Sequence, residues 1–124
     1  KSVMRWNRII MITVSVSGTI YRDINCSASF DGDEGTVSGV TVNIYKNPEY
    51  YSIGTISSDG SGNYSFSKTI KENEELSIQV SAVSPSGYKS NPHTFPSDIV
   101  LKSSARSATY NIPQVPNENV GSCF

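Results

Sequence analysis

From Asp23 to Glu34 the chain reads Asp-Ile-Asn-Cys-Ser-Ala-Ser-Phe-Asp-Gly-Asp-Glu, which sets oxygen-bearing side chains at the first, third, fifth, ninth and twelfth places of a twelve-residue stretch. Calcium takes six to eight oxygens at about 2.3–2.6 Å, and a loop of this length supplies them from those places together with the backbone carbonyl at the seventh. In that register the ligands are Asp23, Asn25, Ser27, the carbonyl of Ser29, Asp31 and Glu34. Two departures lower the expected affinity. Ser27 stands where aspartate or asparagine is usual, and Ala28 where the sharp turn prefers glycine. Asp23, Asp31, Asp33 and Glu34 crowd into one loop with only Arg22 beside them, and like charges at that density repel unless a cation sits among them. The competing reading is a solvated acidic turn. The flanking residues alternate as strands do, so the loop hangs between strands rather than helices.

Other chemistry is sparse. Cys26 and Cys123 are too far apart for a CxxC zinc or redox motif. The sequence leaves open whether they pair within one chain, pair between chains or stay free; an internal bond would be worth about 4–5 kcal/mol on the chain-entropy model. His93, the single histidine, lies in Asn91-Pro-His-Thr with no nucleophile elbow anywhere, and it reads as a loop residue. Glu72, Glu74 and Glu75 read as a solvated turn rather than a paired-carboxylate site. Tyr50, Tyr51 and Tyr88 are candidates for an aromatic platform, the competing reading being ordinary strand faces. Asn25-Cys-Ser and Asn63-Tyr-Ser satisfy the N-glycosylation pattern, but a metal-ligating Asn25 would have no room for a glycan.

These groups need a frame, and the frame reads as all-β. A chain of 124 residues fits one domain, and a net charge of −1 with a pI near 5.8 gives no basic face for nucleic acid or anionic membrane. The apolar run Ile9-Ile-Met-Ile is too short to insert into a bilayer. Residues 10–21 alternate with Ile10, Ile12, Val14, Val16, Gly18 and Ile20 on one face, a strand of roughly 35–40 Å that either bends or overhangs. Val37 to Tyr45 gives a second strand. Tyr51 to Ser57 gives a third, and the turn residues Asp59-Gly and Gly62-Asn predict a hairpin returning through Tyr64 and Phe66. Leu76 to Ala82, Ile99 to Leu101, and Tyr110 to Ile112 complete about seven strands, the pattern of an antiparallel, immunoglobulin-like β-sandwich. The expected organisation is an extension over residues 1–9, a sandwich over 10–112 and an extended tail over 113–124, where Pro113 and Pro116 interrupt periodicity. Trp6, Ile9, Ile10 and Ile12 are apolar groups in want of a partner surface, and they are the candidate assembly residues.

Four segments then resemble a known family: Gly18-Thr-Ile-Tyr-Arg-Asp-Ile-Asn with Asp31-Gly-Asp-Glu, Val37-Ser-Gly-Val-Thr-Val-Asn-Ile-Tyr, Asp59-Gly-Ser-Gly-Asn-Tyr-Ser-Phe, and Ser84-Pro-Ser-Gly-Tyr-Lys. In this order they are similar to the calcium-binding B-type repeats of Gram-positive surface adhesins, within the wider group of collagen-adhesin B-type and carboxypeptidase-regulatory-like domains. The resemblance implies a transthyretin-like sandwich, secreted or on the cell surface, working as a spacer or building block and not as an enzyme. It carries the calcium role onto Asp23, Asn25, Asp31 and Glu34. Some relatives lock themselves with a Lys-to-Asn isopeptide bond from the first strand, and residues 10–21 have no lysine to form one. The expected partners are further copies in a filament, through strand donation by the N-terminal residues, or neighbouring domains of one surface protein. The alternative is an adhesin that takes glycan or host protein on its loops.

Overall fold

The longest alternating segment becomes the strand around which the molecule is organised. In the computed structural model, which describes residues 9–30, 35–92 and 98–123, β1 runs Met11–Arg22 with Ile12, Val14, Val16 and Ile20 buried on one face. The others are β2 (Thr41–Lys46), β3 (Tyr51–Ser57), β4 (Asn63–Lys71), β5 (Glu75–Ala82), β6 (Tyr88–Ser90), β7 (Ile99–Lys102), β8 (Ser107–Thr109) and β9 (Ile112–Pro116), followed by a 3-10 helix, Asn117–Cys123. One sheet has the order β4-β1-β9-β6, with β8 also on β1; the other has the order β3-β2-β5-β7. Their inner faces meet as a sandwich. Ile12, Val14, Val16 and Ile20 of β1 join one cluster with Val42 and Ile44 of β2, Leu76, Ile78 and Val80 of β5, and Leu101 of β7. Each such aliphatic side chain contributes about 1.5–3 kcal/mol on burial.

β1 does not overhang. It pairs with β4 from Met11 opposite Lys71 to Thr19 opposite Asn63. Ile12 therefore sits in the molecule's own core opposite Ile70, which removes it from the candidate assembly residues. Ile9 and Ile10 stay 67% and 48% exposed, and Trp6 lies outside the described residues. The other side of β1 is shared: β8 and then β9 run parallel to it, a departure from a purely antiparallel sandwich. Between them the backbone of Tyr110 presses on β1, where a Cβ at Gly18 would lie 1.9 Å from the Tyr110 carbonyl oxygen. The buried Tyr64 hydroxyl donates to that same carbonyl. Burial, and secondarily Tyr110, hold the Tyr64 hydroxyl well above the usual phenol range.

Two other expectations are corrected. β3 and β4 do not form a hairpin: they lie in different sheets, and Ser58–Gly62 is the corner that carries the chain across. Buried Ser58 fixes that corner by accepting the Val40 N–H at 2.9 Å and donating to the Val37 carbonyl at 3.0 Å. The tail from Pro113 is no outlying arm, because every residue of β9 is buried. β9 meets β1 over Ile112–Gln114 and β6 over Gln114–Pro116. Each proline thus has a ladder neighbour on one side only, and its missing N–H can face the other. No helix among the described residues is long and apolar enough to cross a membrane.

Candidate metal centre

The candidate loop leaves the sheet where β1 ends and returns beside it, since the Arg22 N–H donates to the Gly35 carbonyl at 3.1 Å and Tyr21 bridges to Thr36. Asp23 is the fixed point of this loop. Its N–H donates to the Gln114 carbonyl on β9 at 2.9 Å, and its side chain is fully buried. One carboxylate oxygen accepts the Ser27 N–H at 3.0 Å; the other accepts the Ala28 N–H at 2.9 Å and the Asn91 side-chain amide at 2.8 Å. These bonds meet the rule that buried polar groups be satisfied and curl residues 23–28 into a tight turn.

The turn demands left-handed backbone at two residues that are not glycine, Cys26 with φ 56° and Ala28 with φ 61°. Ala28 thus adopts the conformation expected of the sixth place in a calcium loop, despite carrying a Cβ. Within the curl the Ser27 N–H also reaches the Asn25 amide oxygen at 3.2 Å, the Ser29 N–H reaches the Ser27 hydroxyl at 3.2 Å, and that hydroxyl lies 3.4 Å from the Ser29 carbonyl. The structure therefore brings Asp23, Asn25, Ser27 and Ser29 into one compact turn, while Asp31 and Glu34 lie outside the described residues. Among the described residues no group of three His, Cys, Asp or Glu side chains converges on a point that could hold a metal ion. Phe30 stacks on Tyr21 with ring centroids 5.0 Å apart, which closes the turn against β1.

Cys26, in the middle of the turn, is bonded to Cys123 at the end of the 3-10 helix within the same chain, with a Cα–Cα separation of 5.2 Å. Asn91 is the residue that sequence reading missed. It is buried, lies 68 positions from the aspartate it holds, and carries no local spacing that could reveal the contact. Gln114 is buried too, with its side-chain amide donating to the Pro113 carbonyl at 3.0 Å.

The tyrosines separate into two places. Tyr50 and Tyr51 are exposed at the connection of β2 to β3, Tyr50 stacks on Tyr45 at 4.4 Å, and the Lys46 ammonium lies 5.7 Å from the Tyr51 ring centroid. Tyr88 lies on β6 in the other sheet, half-buried against the core, so a three-tyrosine platform is not assembled. His93 lies outside the described residues.

The family model of the SdrD B-like domain matches residues 14–120, which takes in both sheets and the whole candidate loop. The chain belongs to that family. This SdrD B-like domain also shares its fold with solved shaft pilins. A mutant form of the shaft pilin SpaA from Lactobacillus rhamnosus GG superposes with a TM-score of 0.55 at 16% identity, over 85% of this chain and 51% of the pilin chain. A second mutant form of the same pilin gives 0.50 at 13% identity, over 86% and 51%. The SdrD B-like domain thus spans about half the length of those pilin chains. No curated protein matches it significantly.

Proposed function

We propose that this SdrD B-like domain is a non-catalytic structural module outside the cell, a building block or spacer of a surface stalk or filament. The observation that carries this reading is the family match across residues 14–120. The sandwich shared with a shaft pilin and the disulfide, a bond that persists in oxidising surroundings, support it. Immunogold labelling of intact source cells tests it: label on surface fibres is expected, and label confined to the cell interior would refute it.

In the finer reading calcium stiffens the module. The donor set fits the ion because it is all oxygen: a carboxylate at Asp23, an amide at Asn25, a hydroxyl at Ser27 and the carbonyl of Ser29, completed by the carboxylates of Asp31 and Glu34. Left-handed Ala28 and the Ser27 and Ala28 N–H groups on Asp23 support the register. Bound calcium would hold the far end of the loop to the turn that Asp23 already fixes. At tenfold above its dissociation constant it would add about 1.4 kcal/mol of stability.

Assembly would run through the N-terminal residues added as a strand to a neighbour's sheet edge. Exposed Ile9 and Ile10 support this, and buried Ile12 limits the donor to residues before it. A chain lacking residues 1–9 is expected to stay monomeric by light scattering, and polymers from it would end the strand-donation reading. Exposed Tyr50, stacked on half-buried Tyr45 beside exposed Tyr51, favours one second reading, adhesion to glycan through exposed aromatic faces. Saturable glycan binding lost in Tyr50→Ala or Tyr51→Ala would favour it; undiminished binding in both variants would exclude it.

A further inference from the structure

We infer that the Cys26–Cys123 bond makes β1 the tension member of the module and takes the chain between the two cysteines off the load path. A pull carried along the backbone from a point before Cys26 to a point after Cys123 crosses the disulfide, because no other covalent route is shorter. The 97-residue sequence separation that the bond spans holds β2 to β9 and nearly all of the 3-10 helix, so these elements stay folded under the load without carrying it.

What does carry it is already straight. β1 is a strand of twelve residues ending close before Cys26, and a strand rises about 3.3 Å per residue against a limit of about 3.3–3.6 Å, so it has almost no slack. It is held on both sides, by β4 along Met11–Thr19 and by β8 and β9 in turn. Inter-strand hydrogen bonds run across the strand direction, so these ladders hold β1 straight and in register while its own backbone carries the pull to the disulfide. Between β1 and the disulfide stands Asp23, anchored to Asn91 and Gln114. The load path is therefore buried and pinned to the same sheet at Asp23, shortly before the covalent crossing.

The inference rests on the stalk reading for its use, since only a module under tension needs such a path. Its geometry can be tested separately by single-molecule pulling of the full chain through handles at its two ends. In the oxidised protein no unfolding step should exceed about 90 Å, the fully extended length of the residues up to Cys26. Adding dithiothreitol should lengthen the largest step by about 320–350 Å, the reach released between the cysteines. The double variant Cys26→Ser with Cys123→Ser should give the long step without reductant; if it does not fold, reduction of the folded natural chain supplies the same readout. A long step in oxidised, fully bridged molecules would overturn the inference. Interior labelling of source cells would instead defeat the stalk reading and leave the measured load path as it is.

Discussion

Two loops of this molecule open with an aspartate that caps its own backbone, and they differ in how far their contacts reach. At the corner between the sheets, one Asp59 oxygen accepts the N–H groups of Ser61 and Asn63, both at 2.9 Å, and the Asp59 N–H donates to the Asn63 carbonyl at 2.8 Å. These contacts close within a few residues, and Asp59 itself stays exposed. Asp23 caps Ser27 and Ala28 in a similar way, yet it is fully buried and also holds Asn91, while its backbone holds Gln114. Asp59 needs only the turn chemistry of its own corner, whose links to the rest of the fold run through Ser58 and Gly62 instead. A loop tied to distant strands and to the chain's far end organises the fold around itself, and it is where an added ion or a broken covalent bond would be felt throughout.

The comparison breaks most visibly at the disulfide. Replacing Cys26 and Cys123 together by serine should cost about 4–5 kcal/mol in urea unfolding, the chain-entropy value for a closure of this length. A loss below about 1 kcal/mol would mean that the unfolded chain is not freed by the change. Next comes the contrast between the aspartates. Asp23→Ala strips three donors of a buried acceptor and should cost about 3 kcal/mol, whereas Asp59→Ala, at an exposed corner, should cost about 1 kcal/mol. Equal losses would erase the distinction drawn between the loops.

Left-handed residues sharpen it further. Gly62 has φ 80°, and a Cβ there would lie 2.7 Å from the Thr36 Cβ and 2.9 Å from the Ile20 carbonyl oxygen, so Gly62→Ala should cost about 2 kcal/mol. Ala28 is strained in the same backbone region, and Ala28→Gly should raise stability by roughly 0.5–1 kcal/mol, net of the entropy that glycine adds to the unfolded chain. A destabilised Ala28→Gly variant would show that the Ala28 methyl packs usefully.

Much of this was legible in the residues because strand faces repeat every second residue. The buried face of β1 and the alternation of Leu76, Ile78 and Val80 follow from that period, and Tyr51–Ser57 is bounded as the turn residues around it require. What stayed hidden depends on contacts far along the chain. Asp59-Gly announces a reversal but does not say which sheet receives the returning strand. Pro113 and Pro116 signal the end of a ladder, and only the offset of β9 between β1 and β6 shows why both are tolerated in a buried strand. Within the candidate site, spacing placed Asp23, Asn25, Ser27 and Ser29 in one loop, and they share one turn, whereas Asn91 was not readable, since a buried amide answering a distant carboxylate leaves no local pattern.

The most direct measurement is thermal unfolding of the oxidised protein in calcium and in chelator, with Asp59→Ala as a companion. Loop stiffening by calcium predicts that chelation lowers the midpoint by about 5 °C, the shift that matches about 1.4 kcal/mol in a domain of this size, in the natural chain and in Asp59→Ala alike. Identical midpoints with and without calcium would contradict it, leaving residues 23–30 as a turn held by its protein contacts and the disulfide.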